Sequence, residues 1–156
     1  MDFQGGRNTL LLENAHITVR GCTFTQSLYD GINASGSGTD GMVELCTFDA
    51  NGAFGISTRA GCRLTARRNT ILHAGDCGFY IDSNAALLAN NIVQAHTYGI
   101  ILQAGADAPT VQCNNSFQSG SVNYVSGGSF DFVGNKNYEL NPQFCGPGLN
   151  TISSAS

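Results

Sequence analysis

The chain has 156 residues, of which 42 % are hydrophobic and only 12 % are charged, and its net charge is −4. Such a chain has enough apolar residues for a core, so its composition excludes charge-driven disorder. The acidic balance argues against a nucleic-acid partner, and no apolar run approaches the roughly 20 residues that span a membrane.

A short unit recurs along the chain. Each unit carries a large apolar residue, and these residues are Phe24, Phe48, Ile71, Ile92 and Phe117. A second signature begins seven residues after each of them: Gly31-Ile32, Gly55-Ile56, Gly78-Phe79, Gly99-Ile100 and the degenerate Tyr124-Val125. The intervals between the large residues are 24, 23, 21 and 25 residues, so loops of variable length join a fixed segment.

Each unit is too short to bury its own apolar face, so neighbouring units must stack. Short apolar runs bounded by Gly, Asn, Asp and Ser predict short strands, and no run has a helical period. We expect an all-β solenoid of about five to six coils over residues 1–126, with an irregular capping segment over 127–156. The residues predicted to point inward in the first three coils are Val19, Phe24, Ile32, Val43, Phe48, Ile56, Ile71, Phe79 and Ile81.

Equivalent positions of successive units form two polar columns. Two residues before each large residue lie Cys22, Cys46, Asn69, Asn90 and Asn115, which predict a hydrogen-bonded column at a turn. Four residues before it lie Arg20, Glu44, Arg67 and Cys113. Because parallel coils stack about 4.8 Å apart, the alternation of Arg20, Glu44 and Arg67 predicts a ladder of ion pairs.

The repeated Asn/Cys-Thr-Phe/Ile … Gly-Ile units, from about residue 8 to residue 126, resemble the right-handed parallel β-helix proteins, the pectate-lyase-like superfold. The segment Asn141-Pro142-Gln143-Phe144-Cys145 looks like the one that follows the last coil in many secreted bacterial members. The resemblance implies a parent protein that is extracellular or on the cell surface. It also implies a partner for Cys145, in a Ser-Pro-Cys that this sequence lacks.

The N-terminal segment sets two further expectations. The first residues, Met1 to Gly6, have neither the basic start nor the apolar run of a signal peptide. Members of the superfold usually cover the first coil with a helix, which Met1 to Arg7 cannot form. We therefore expect either a truncated parent protein or self-association through an apolar edge near residues 9–12.

One coil concentrates the basic residues of the chain: Arg59, Arg63, Arg67 and Arg68. Guanidinium groups bind carboxylates through paired hydrogen bonds, so this cluster is the candidate binding site for an acidic polysaccharide. The alternative is a solvated face, on which Arg67 simply pairs with Glu44.

The candidate catalytic residues, Asp76 and His96, come from the resemblance. Asp76-Cys77-Gly78-Phe79 is similar to the Asp-Asp-Cys-Ile motif of polygalacturonase-type hydrolases, and His96 follows one coil later, where that family has Gly-His-Gly. The match is incomplete, because Gly75 replaces the first aspartate and no Arg-Ile-Lys follows His96. Hydrolysis would also need paired carboxylates.

Neither a cofactor nor a metal site is expected. His73 and His96 can lie on adjacent coils, but two histidines are too few for a metal. Asp30, Asp40, Asp76 and Asp82 are spread over different loops, so a Ca²⁺ site has no support.

The cysteines give no zinc or thioredoxin spacing. Cys22 and Cys46 occupy equivalent positions in adjacent coils, so they are either a disulfide or two stacked thiols. The sequence does not decide the state of these two or of Cys62, Cys77, Cys113 and Cys145.

Three functions fit these observations. The first is a β-helix module of a secreted or cell-surface protein that binds carbohydrate or another surface polymer. The second is a fragment of a lyase, hydrolase or epimerase that acts on acidic polysaccharide. The third is a structural spacer.

Overall fold

The strands of the computed structural model form three parallel sheets along the sides of a solenoid. The structure describes residues 1–59, 61–82, 86–103, 110–117, 119–128 and 130–139. Sheet 1 contains β1 (Asp2–Gln4), β4 (Thr23–Thr25), β7 (Thr47–Asp49), β10 (Thr70–Ala74), β13 (Ile92–Ala95) and β16 (Asn115–Ser116). Sheet 2 contains β2 (Leu10–Glu13), β5 (Ile32–Ser35), β8 (Phe54–Thr58), β11 (Cys77–Ile81), β14 (Tyr98–Leu102) and β17 (Val122–Ser126). Sheet 3 contains β3 (His16–Arg20), β6 (Asp40–Glu44), β9 (Arg63–Arg67), β12 (Leu87–Ala89) and β15 (Thr110–Gln112).

Each coil contributes one strand to each sheet, except that the described part of the last coil has no strand in sheet 3, and every strand pairs with its equivalent in the neighbouring coil. The stack has about five coils, and the described part of the chain contains no helix. These observations confirm the predicted all-β parallel solenoid. The strands are short because each one ends at a corner of the solenoid. Within a strand, side chains alternate between the inside and the outside.

The core is a column of apolar side chains inside the stack. All nine residues predicted to point inward in the first three coils are buried. Phe3, Phe24 and Phe48 stack face to face with ring centroids 5.0 and 4.9 Å apart. This spacing equals the distance between neighbouring strands, so each ring contacts the rings of the coils beside it.

A buried asparagine column runs along the corner between sheets 3 and 1. It consists of Asn69, Asn91, Asn114 and Asn137. The Asn91 side chain donates to the Ala66 carbonyl oxygen and to Asn114 Oδ1, each at 2.9 Å. Asn114 Oδ1 also accepts from the Asn91 backbone N–H at 3.0 Å. Each side chain therefore satisfies a backbone carbonyl and a backbone N–H of the coil before it.

The sequence assignment of this column was wrong by one residue in the last two coils, where Asn91 and Asn114 occupy the positions predicted for Asn90 and Asn115. A left-handed residue precedes the buried position in every coil: Gly21, Leu45, Arg68, Asn90, Cys113 and Lys136, with φ between 55° and 62°. Asn90 takes this turn position because asparagine tolerates positive φ better than most residues.

The same shift affects the inward positions of these coils. Phe48, Ile71, Val93 and Ser116 lie in register, so Ile92 and Phe117 were the wrong anchors. The second signature of the last coil is Asn123-Tyr124, because Tyr124, and not Val125, pairs with Ile100. Val93 and Ser116 thus occupy the positions that the alignment gave to Ile92 and Phe117, a slip of one residue in each coil, although Phe117 is also buried.

The C-terminal segment covers the last coil and extends the corner. The Cys113 N–H donates to the Asn135 carbonyl oxygen at 3.2 Å, and Tyr138 pairs with Asn115 in parallel. Phe130 and Phe132 pack against the core. Phe144 and the Asn-Pro-x-Phe-Cys segment lie outside the described residues.

Replacement of Asn91 by Ala is expected to lower the free energy of unfolding by about 2–4 kcal/mol, because it leaves buried backbone groups without partners. The matched control is Asn90→Gly, which keeps the left-handed turn and should change the stability by less than about 0.5 kcal/mol. Urea denaturation followed by circular dichroism measures both. Equal losses in the two variants would contradict the register described above.

Candidate functional site

A cleft of about 700 Å³ opens on the outer face of sheet 2, at the N-terminal end of the stack. This volume lies within the roughly 300–1,000 Å³ typical of sites for small molecules. Residues of three successive coils line it: Arg7, Asn8, Leu11, Tyr29, Asp30, Asn33, Ala53, Phe54 and Arg59. The cleft thus combines aromatic surface with two cations and one carboxylate.

Aromatic rings and arginines are paired on this face. The Arg7 guanidinium carbon lies 5.3 Å from the centroid of Tyr29, and that of Arg59 lies 4.9 Å from the centroid of Tyr80. Tyr80 in turn stacks on Phe54 with centroids 4.9 Å apart. A guanidinium that lies over a ring is held in place while the N–H groups at its edge can still donate hydrogen bonds.

Asp30 forms the floor of the cleft and is buried. Its Oδ2 accepts hydrogen bonds from Asn33 Nδ2 and from Ser57 Oγ, both at 2.7 Å. Its backbone N–H donates to Asn8 Oδ1 at 3.2 Å. These contacts connect three coils and give the polar groups of the cleft fixed positions.

The four arginines of the predicted binding cluster do not share one site. Arg59 lines the cleft, whereas Arg63 begins β9 in register with Asp40. Arg67 and Arg68 lie at the far end of β9, beside Glu44. The sequence placed them together because they are close along the chain. Arg59 lies across a corner from β9, whereas Arg63 and Arg67 share the outer face of β9 but lie at its opposite ends.

The predicted ion-pair ladder of sheet 3 is confirmed for three residues. Glu44 lies between Arg20, whose Nε is 3.6 Å from Oε2, and Arg67, whose Nε is 3.0 Å from Oε1. The ladder does not extend to Cys113, because Gln112 occupies the equivalent position in its coil. Cys113 is instead the exposed left-handed residue of its corner.

Asp76 and His96 lie on neighbouring coils at the corner before sheet 2. The Thr97 N–H donates to the Asp76 carbonyl oxygen at 3.1 Å, and the His96 N–H donates to the Ala74 carbonyl oxygen at 2.8 Å. Neither residue lines the cleft. Their role as a catalytic pair remains a prediction.

The structure pairs two histidines with carboxylates of adjacent coils, which the sequence reading missed. His73 Nδ1 lies 2.8 Å from Asp49 Oδ1, and His16 Nδ1 contacts Asp40 Oδ1. The signal in the sequence was that each histidine lies 24 residues, or one coil, from its carboxylate. No group of three or more potential metal ligands occurs among the described residues, and Asp30, Asp40, Asp76 and Asp82 form no cluster there.

Four cysteines of the described residues carry free thiols: Cys22, Cys46, Cys77 and Cys113. Cys62 is buried. Cys145 lies outside the described residues. Cys46 continues the asparagine column, since its N–H donates to Asn69 Oδ1 at 3.0 Å and its thiol faces the Val19 carbonyl oxygen. Burial raises the pKa of the Cys46 and Cys77 thiols above the ordinary value, which disfavours the reactive thiolate.

Alkylation with iodoacetamide at pH 8 should therefore modify exposed Cys113 first, and Cys77 roughly tenfold or more slowly. Peptide mass spectrometry after timed quenching measures both rates. Unfolding in guanidinium should abolish the difference. Equal rates in the folded protein would contradict the burial of Cys77.

Comparisons with known proteins identify the architecture. A family model described as "Right handed beta helix region" matches residues 2–137. No curated protein and no solved structure gives a significant match. Among the described residues, no helix has the length and apolar character needed to cross a membrane.

Proposed function

We propose, from the membership of this chain in the right-handed β-helix family, that it is a carbohydrate-binding module of a secreted or cell-surface protein. The cleft on sheet 2 is the site, and the observation that carries the proposal is its lining of aromatic rings beside arginines. The family determines the fold alone, since one solenoid supports many unrelated functions.

The chemistry of the cleft suits a sugar. Aromatic side chains offer large apolar faces with little rotamer freedom, on which the C–H face of a pyranose ring can stack. Tyr29 and Phe54 provide such surface within the cleft, and Tyr80 extends it beyond the cleft. Hydroxyl groups of the sugar would find hydrogen-bond partners in Asn33 and Asp30, whose positions are already fixed.

The charge of the cleft favours an acidic sugar. Arg7 and Arg59 carry two positive charges against the single negative charge of Asp30. Guanidinium groups bind carboxylates with charge-assisted hydrogen bonds, which are about twice as strong as neutral ones. An acidic polymer such as polygalacturonate or alginate is therefore the expected ligand, in preference to a neutral one such as dextran.

Binding is better supported than hydrolysis. Glycoside hydrolysis needs two carboxyl groups flanking the scissile bond. Asp30 is the one acidic residue in the lining of the cleft, as far as the described residues go. Asp76 and His96 lie outside that lining.

Titration of the protein with polygalacturonate oligosaccharides by isothermal calorimetry tests the proposal. Tyr29→Ala should weaken binding about tenfold, the effect of losing one aromatic contact of about 1.4 kcal/mol. The matched control is Tyr138→Ala, because Tyr138 is 50 % exposed and Tyr29 is 49 % exposed, but Tyr138 lies at the other end of the stack. Equal effects of the two substitutions would contradict the assignment of the cleft.

A second variant separates charge from aromatic contact. Arg59→Gln removes one cation of the cleft, so it should weaken binding to polygalacturonate more than binding to dextran. Absence of binding to polygalacturonate, alginate and dextran would leave the structural spacer as the better account. Release of reducing ends or of unsaturated products from these polymers would instead establish an enzyme.

A further inference from the structure

Three of the seven basic residues of this acidic chain surround one carboxylate. Glu44 is buried, with a side-chain exposure of 4 %. Arg67 Nε lies 3.0 Å from its Oε1, Arg68 Nη1 lies 3.7 Å from the same atom, and Arg20 Nε lies 3.6 Å from Oε2. This arginine cluster is on sheet 3 and the adjoining corner, and none of its members lines the cleft of sheet 2.

A buried carboxylate needs one good partner, and Arg67 supplies it. At 3.6 and 3.7 Å, Arg20 and Arg68 lie beyond normal hydrogen-bond distance, so Glu44 attracts them without using up their donors. Three guanidinium groups around one carboxylate leave a net charge of two positive units. Such an arrangement costs repulsion among the cations, and an additional anion would relieve that repulsion.

The exposed parts of these side chains face solvent. The side chains of Arg20, Arg67 and Arg68 are 65 %, 44 % and 62 % exposed. Arg20 and Arg67 approach Glu44 through Nε, which leaves the two Nη groups of each guanidinium as a fork. Such forks match the paired oxygens of a carboxylate or sulfate.

The register sets the spacing of the two forks. Arg20, Glu44 and Arg67 are direct partners on β3, β6 and β9, so Arg20 and Arg67 are separated by two strand spacings, about 9.6 Å. Arg68 follows Arg67 on the corner. The cluster is thus a short positive stripe that runs along the axis of the stack.

We propose that the arginine cluster around Glu44 is a second, separate binding site, which takes a linear polysaccharide bearing sulfate or carboxylate groups. Glu44 is a positioning residue, since it holds the guanidinium groups and does not itself face the ligand. A nucleic acid fits less well. Domains that bind nucleic acid are typically strongly basic, whereas this chain has a net charge of −4.

The test measures binding of dextran sulfate oligosaccharides to the full chain by isothermal calorimetry at low and at moderate salt, with uncharged dextran and a DNA duplex as comparison ligands. The variant R20Q/R68Q removes two cations and leaves Arg67 paired with Glu44, so the carboxylate stays compensated. It should lower the affinity about tenfold or more. It should also reduce the salt dependence of binding.

The matched control is R63Q, which removes one cation from the other end of the same strand, about 13 Å from Arg67. It should change the affinity less than about twofold. R20K/R68K keeps the charge but loses the paired Nη groups. Its affinity for dextran sulfate should lie between that of R20Q/R68Q and that of the unsubstituted protein. Thermal unfolding of each variant establishes that it is folded.

Three results would overturn the proposal. They are a loss in R63Q as large as that in R20Q/R68Q, an equal affinity for uncharged dextran, and an affinity for the DNA duplex as high as that for dextran sulfate. The first would show that binding depends on net charge and not on the arginine cluster. The third would point to nucleic acid as the partner.

Discussion

The in-register stacking of equivalent residues is the constraint on which the structure depends. It is maintained at one corner by the buried column of Asn69, Asn91, Asn114 and Asn137. Each side-chain amide bonds a carbonyl of the coil before it and the next amide in the column. If one coil shifted by a residue relative to its neighbour, several buried hydrogen bonds would break together. Because an unpaired buried polar group costs about 1–3 kcal/mol, the column fixes the register more sharply than apolar packing alone.

This register also produces the functional surfaces. Residues that are about 23 positions apart along the chain become neighbours about 4.8 Å apart, so a side chain repeated in successive coils becomes a row. The phenylalanine stack inside the solenoid and the ladder of Arg20, Glu44 and Arg67 outside it follow from the same geometry. A solenoid of this kind can carry one site on each sheet, since outward-facing residues are not needed for its core.

The sequence predicted the fold and the ion-pair ladder of sheet 3, but it did not predict the cleft on sheet 2. All nine residues that the apolar period placed inward in the first three coils are buried, since large buried side chains recur at fixed positions there. It misassigned the last two coils, where the doublets Asn90-Asn91 and Asn114-Asn115 offer two equivalent alignments. Local sequence does not distinguish them. The choice depends on which residue takes the left-handed turn, Asn90 in one coil and Cys113 in the next, and on which asparagine the neighbouring coils can bond.

By itself, therefore, the sequence determined the stacked all-β architecture, nine core residues of the first three coils and the pairing of Arg20 and Arg67 with Glu44, because these depend on repetition alone. Only the tertiary structure decided that Arg59 belongs to a cleft with Arg7, Tyr29 and Asp30. It also decided that Arg59 is separated from Arg67 and Arg68, which lie beside Glu44. The physical reason is that the position of a side chain around the solenoid depends on where each corner turns, and the variable loops between the repeats set those corners.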